Sequence, residues 1–321
     1  MPFGSFDAVE KQKATPGNPI AEQSTEIMTV RIQVAARTPG ILAEFMGSLY
    51  QNMSVALSHH AMAFYAPDRP TIDSIARTKK RYDDYFRIFS QEDWVYRQEG
   101  DSEGRQGGEE PGEYHFCLSS SGNQRKAIDL SFRCVTPEEA ASLEAVDAVW
   151  LMADGVCLSE MAAEDHFTQR LRKAIDLLSA REDGVPVCLI LSQIENRCIL
   201  DTAQSSTRTQ NELAAIARSI FGSESTRTSL IPVQIYGGLD CVGMDENHCP
   251  ILRLGKSLQI YRPAYCQIPA LHTLRQVTAE RGTDFFADVM QGGLLGGIAA
   301  CFKDALESSS WEPETLRGNQ E

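Results

Sequence analysis

Apolar residues along this chain recur in two periods, and their order predicts an alternation of strands and helices. From Ile27 to Ala35 the apolar positions fall every second residue (Met28, Val30, Ile32, Val34), as in a strand with one well-buried face. After Thr38-Pro39-Gly40 the period changes. Ile41, Leu42, Phe45, Met46 and Leu49 fall on or near one face of a helix running to about Gln51. Thr71 to Phe89 sets Ile75, Tyr82, Tyr85, Phe86 and Phe89 at helical spacing, opposite Lys79, Lys80, Arg81, Asp83 and Asp84. Glu113 to Ser119 and Lys126 to Cys134 alternate around a Gly122-Asn123 turn and predict a β-hairpin.

Thr136-Pro137-Glu138-Glu139 opens a helix with a capping hydroxyl, a proline at the first helical position and a glutamate at the third. Ala145 to Gly155 reads as a helix end leading into a buried strand, Val185 to Ser192 is an apolar run of the kind covered on both faces in a parallel sheet, and Leu230 to Tyr236 is the last parallel strand. Helical spacing between and after them predicts helices through Phe167 and Leu178, through Leu213 and Ile220, from Pro269 to Glu280 and from Asp284 to Glu307. The expected architecture is a three-layer α/β domain, with helices on both faces of a mostly parallel sheet and one antiparallel edge supplied by the hairpin.

Residues 1–24 and 308–321 lack periodicity and read as flexible tails, leaving one domain over 25–307. Within it, 54–112 is a helical insert ending in an acidic, glycine-rich loop from Gln98 to Gly112 that has nothing to bury. The 30 Lys and Arg against 44 Asp and Glu give a net charge of −14, which argues against a nucleic-acid binder. The N-terminus has no signal-peptide pattern, and no uncharged apolar run is long enough to span a bilayer; Phe285 to Phe302 is broken by Asp288, Gln291 and two Gly-Gly pairs. Nine cysteines without a framework, several inside strands, read as reduced thiols of a cytoplasmic protein. His59-His60 and the Cys241, His248, Cys249 group lack zinc-ligand spacing. The apolar face of the last helix fits core packing or a partner surface about equally well, and the glycines among its residues, which weaken a lone helix and permit close approach, tilt the expectation toward a partner.

The strand, Thr-Pro-Gly turn and helix at 30–49 resemble the phosphate-binding unit of a P-loop NTPase, Gly-x-x-x-x-Gly-Lys-[Ser/Thr]. Aligned so, Ala35 stands at the first glycine, Gly40 at the second, Ile41 at the lysine and Leu42 at the Mg²⁺-binding hydroxyl, with Arg37 and Thr38 in the loop. Asp129, ending an apolar run, matches the family's Mg²⁺-binding aspartate, and Phe132 stands at the glycine that senses the terminal phosphate. Ser192, Gln193 and Glu195 take the places of the Asn, Lys and Asp that read guanine. In element order the chain resembles a small-GTPase-like domain of the TRAFAC class, of bacterial type, with a Ras-like layout.

The resemblance implies a pseudo-GTPase. The lysine and the metal hydroxyl are replaced by aliphatic side chains, so an ordinary GTP–Mg²⁺ site is not expected, and neither is a metal or another cofactor. The expected role is docking or assembly with a protein partner, an active GTPase or a second copy of the chain. A nucleotide-binding switch, or a GTP or ATP hydrolase rebuilt around Arg37, Asp129 and residues of the 54–100 insert, is the alternative.

Overall fold

The computed structural model describes residues 26–89, 94–95, 110–120, 123–142, 146–154, 166–181, 184–192, 215, 217–221, 228–235, 239–244, 250–254, 263–280, 294–309 and 314–315. In chain order the elements are β1 (Glu26–Ala35), α1 (Pro39–Ser58), β2 (Met62–Tyr65), α2 (Arg69–Phe89), β3 (Trp94–Val95), β4 (Glu113–Ser120), β5 (Asn123–Val135) and α3 (Pro137–Ser142). They continue with β6 (Ala148–Asp154), α4 (His166–Ser179), β7 (Val187–Ser192), β8 (Thr228–Pro232), β9 (Leu239–Met244), β10 (Pro250–Leu254), α5 (Ile268–Glu280), α6 (Leu294–Ser309) and β11 (Glu314–Thr315).

Eight strands form the main sheet in the order β11-β8-β7-β6-β1-β5-β4-β2. From β8 to β5 every pair is parallel, and β4 joins β5 antiparallel as the expected hairpin. The sheet is thus mostly parallel with an antiparallel edge, flanked by helices on both faces. Two further antiparallel strands extend it, β2 beyond β4 and β11 beyond β8. The extra edge strand arises because α1 runs past Gln51 to Ser58, its stripe continued by buried Met53 and Leu57. Ala61, with φ 52°, then reverses the chain into β2.

The alternation of side chains divides the core in two. Val30, Ile32, Val34, Leu130, Phe132, Trp150, Cys188 and Ile190 face a layer built by α1, α5 and α6. Ala35, Val149, Leu151, Leu189 and Leu191 face α3, α4 and the helical residues 217–221. In the first layer Phe132 lies against Trp150, ring centroids 5.0 Å apart, and Trp150 donates its indole N–H to Thr273 of α5 at 2.8 Å.

Helix α6 corrects one expectation. Its Ile298, Cys301, Phe302 and Ala305 are buried in that first layer, so core packing claims the apolar face that had suggested a partner. Gly297 serves the same end: a Cβ there would stand 2.8 Å from the sulfur of Met62, so the missing side chain lets α6 approach β2. The stretch 284–293 of the expected helix lies outside the described residues.

A second, three-stranded antiparallel sheet, β3-β10-β9, was not expected. It joins the insert after α1 to a segment between β8 and α5, and a bridge between Gln234 and Ala264 closes the base of that segment. Helix α2, which carries the insert, packs on α1. Its Thr78 lies so close to Gly47 that a Cβ on the glycine would come within 2.8 Å of the threonine methyl.

Candidate functional site

In an open parallel sheet, ligands sit outside the carboxyl ends of the strands, where the chain switches faces. Here that place lies between β1 and β6, because β1 leads to α1 on one face while the next described helix after β6, α4, packs on the other. The loop at this point is only three residues long, Ala36 to Thr38.

The loop closes on itself. Thr38 is extended (φ −140°, ψ 153°) and caps α1, its Oγ1 accepting the N–H of Ile41 at 3.3 Å and its carbonyl accepting the N–H of Leu42 at 3.3 Å. Pro39 has no N–H to give. Of the first turn's donors, which a phosphate cradle would aim outward, the N–H of Gly40 alone is left for an anion among the described residues.

Leu42 has 0% of its surface exposed and Ile41 packs half-buried against the same core, while Ala35 and Ala36 are buried behind them. Arg37, in the loop, lies against the opposite helix. Its guanidinium lies over the ring of Phe167 on α4, 5.1 Å from the centroid, so the loop's own cation spans the crevice to the opposite helix.

Asp129 and Phe132 are not brought to this loop. The register pairs Ala35 with Val135 but Thr29 with Asp129, six positions upstream, about 20 Å at the rise of a parallel strand. Asp129 sits instead beside Cys117, its cross-strand neighbour, and burial raises its pKa while His115 pulls it back. Phe132 is a core residue, edge-on to Phe116 at 5.9 Å as well as tilted against Trp150. What β5 delivers level with the loop is Val135 and then Thr136, whose N–H and hydroxyl both engage the Glu139 carboxylate (2.8 and 3.1 Å) while the Glu139 N–H returns to Thr136 Oγ1 at 3.3 Å. The capping box read from sequence is therefore formed, and it occupies the end of β5 nearest the loop.

Ser192, at the end of β7, is buried and donates to the Ala153 carbonyl at 3.1 Å, binding β7 to β6. Gln193 and Glu195 lie outside the described residues, as do the side chains of Cys241, His248 and Cys249. Among the described residues no group of His, Cys, Asp and Glu is arranged to hold a metal, and His60 instead meets Asp304 of α6 at 3.0 Å. Cys117, Cys134, Cys188, Cys266 and Cys301 are free thiols. No helix among the described residues is long and apolar enough to cross a membrane.

Sequence reasoning passed over one polar cluster. Glu44 lies one helical turn beyond Gly40 on α1, its side chain 3% exposed, and meets Arg81 of α2 at 3.5 Å. Arg81 and Arg77 also face Glu110, while Ser74 of α2 stands 3.2 Å from the Tyr114 hydroxyl. Burial holds the Tyr114 phenol far above its ordinary pKa. The one signal in the sequence was a glutamate inside the apolar face of α1, at a position where a charge needs a partner.

No family model and no curated protein matches the chain. Solved structures overlap it in part, two of them as follows. Sup35 complexed with GDP is 13% identical, with a TM-score of 0.32 over 73% of this chain and 44% of that one. The Saccharomyces cerevisiae Ski7 GTPase-like domain bound to GTP is 10% identical, with a TM-score of 0.34 over 66% of this chain and 44% of that one. The chain thus spans less than half the length of either. The three-layer α/β assignment rests on the sheet itself, and the nucleotides are ligands of those proteins.

Proposed function

We propose that the chain is a GTPase-like domain without nucleotide chemistry, a pseudo-GTPase that serves as a docking or assembly module for a protein partner in the cytoplasm of a bacterial cell. The order of its parallel strands, with the hairpin β4–β5 set beside β1, supports the fold half of that reading. The observation that carries the functional half is the burial of Leu42 and the packing of Ile41 against the core. A phosphate cradle needs a cation and a hydroxyl at those places, both facing the ligand. Here both side chains help hold α1 to the sheet.

A hydrolase rebuilt from Arg37 and Asp129 is less well supported, since one lies on Phe167 and the other belongs to a distant rung of β5. The partner envisaged is an active GTPase or a second copy of the chain.

Thermal unfolding with millimolar GTP, GDP or ATP, with and without Mg²⁺, tests the reading. A ligand at a hundred times its dissociation constant stabilises by about 2.7 kcal/mol. The expected outcome is an unmoved melting temperature with every nucleotide, and a Mg²⁺-dependent rise would restore the nucleotide switch.

A further inference from the structure

The main sheet ends on β2, and the chain treats the two parts of that edge differently. Next to the start of β4 a side chain closes it: Thr71 Oγ1 of α2 accepts the N–H of His115 at 3.1 Å. Further along β4, β2 itself provides the cover, from Tyr65 opposite Cys117 to Met62 opposite Ser120. Among the described residues none of Met62, Ala63, Phe64 and Tyr65 makes a hydrogen bond outside β4. A strand paired on one side presents a row of N–H and C=O groups to whatever lies on the other.

Sheet edges are commonly guarded by a charged side chain or a proline. Met62-Ala63-Phe64-Tyr65 has neither, and Pro67 comes only after the strand has ended. Apolar exposure falls at the same place. Of the four large apolar side chains exposed among the described residues, Tyr65 (44%) ends β2 and Ile72 (43%) stands in the first turn of α2, next to Thr71.

We propose that β2 pairs antiparallel with β2 of a second copy of the chain across a two-fold axis, joining the two sheets. The alternation of the strand selects this occupant. Met62 and Phe64 are buried on the face that α1 covers, while Ala63 and Tyr65 turn to the other. Residues opposed across a continuous sheet share a face, so a two-fold axis must set one residue against its own copy. Centred on Ala63, the pairing would oppose Tyr65 to Ala61, whose φ of 52° has left the extended region. Centred on Phe64, it sets Tyr65 of each copy beside Ala63 of the other, a ring against a methyl, twice over. The same register brings Asp68 level with His60 of the second copy, a carboxylate beside a histidine. The edge is thus complementary to itself, as an isologous interface requires. The proposal rests on the docking-module reading and takes the second copy as its partner.

The test is sedimentation velocity of the full chain. A ladder of four residues is short beside the roughly 800 Å² per partner of a stable interface, so the dimer should form at about 100 µM and dissociate on dilution to about 1 µM. Ala63→Glu and Tyr65→Lys, each setting a charge against an apolar neighbour, should each weaken it by at least about tenfold. The double variant places the two new charges opposite one another across the axis and should restore it. A monomer at every concentration leaves the edge to a strand of another protein and overturns the proposal. So does a dimer indifferent to both single variants, or loss in the singles without recovery in the double. Should Ala63→Glu fail to fold, Tyr65→Phe decides beside Tyr65→Lys: it keeps the ring and must keep the dimer, and equal loss in both overturns the proposal. None of these readings involves nucleotide, so a Mg²⁺-dependent nucleotide shift, which sinks the docking reading, is told apart from failure of the edge.

Discussion

Restoring the missing metal hydroxyl by Leu42→Thr should damage the fold without creating a site. Leu42 is wholly buried, and a leucine side chain contributes about 1.5–3 kcal/mol when removed from water. Threonine keeps part of that apolar surface but leaves a void where the branched end of leucine stood. Its hydroxyl enters the core too, although it can donate to the Thr38 carbonyl one turn back, which limits the penalty for an unpaired donor. The sum is a loss of about 2–4 kcal/mol, or roughly 5–10 °C in melting temperature for a domain of this size. Urea unfolding followed by tryptophan fluorescence reads it directly, because Trp150 sits in the same core layer. Ile41→Lys should cost less, since a half-buried position lets a lysine stem lie along the surface with its charge in water. A Leu42→Thr variant within about 0.5 kcal/mol of wild type would refute the reasoning, because this is the range of an ordinary surface change. Position 42 would then face solvent rather than core.

Two other perturbations probe the scaffold. Gly47→Ala would normally firm a helix by up to about 1 kcal/mol, but here the new methyl meets the β-branched Thr78 at 2.8 Å and must push α2 off α1; a net loss of about 1–2 kcal/mol by thermal unfolding is expected. His272 is held neutral by burial, with Arg275 adding to the effect, and its pKa falls to about 4. The unfolded chain then binds the extra proton first, so stability should be full above about pH 6.5 and fall by up to about 3 kcal/mol as pH drops from 6.5 toward 4. His272→Gln should flatten that slope in urea titrations at pH 7.5 and 5.

The elements that were legible in the sequence are those whose signals are local. The alternation through Val30, Ile32 and Val34, the stripe through Leu42, Phe45, Met46 and Leu49, and the Thr136-to-Glu139 box each depend on neighbours a few residues away. The strand register is not local. Asp129 was matched to a metal aspartate because it ends a short apolar run, although the expected strand already continued to Cys134, and only the pairing with β1 shows which residue lies level with the loop. For the same reason Phe132, which sequence alignment sets at a phosphate-sensing glycine, is a wall of the core: it shares a face with Ile128 and Leu130 on the strand. The second sheet was invisible because Trp94–Val95 is two residues long and its partner strand lies far along the chain, between β8 and α5. Charge pattern hid the Glu44–Arg81–Glu110 cluster in a similar way. Arg81 reads as part of a solvated basic face and Glu110 as part of an acidic loop until α2 is laid against α1.

Calorimetric titration of GTP with Mg²⁺ into the full chain puts the central claim to its most direct test. With the hydroxyl position buried in the core, the lysine position packed half-buried against it and the helix end capped by Thr38, the account predicts no saturable heat at millimolar nucleotide. A saturable, Mg²⁺-dependent isotherm abolished by EDTA would contradict it.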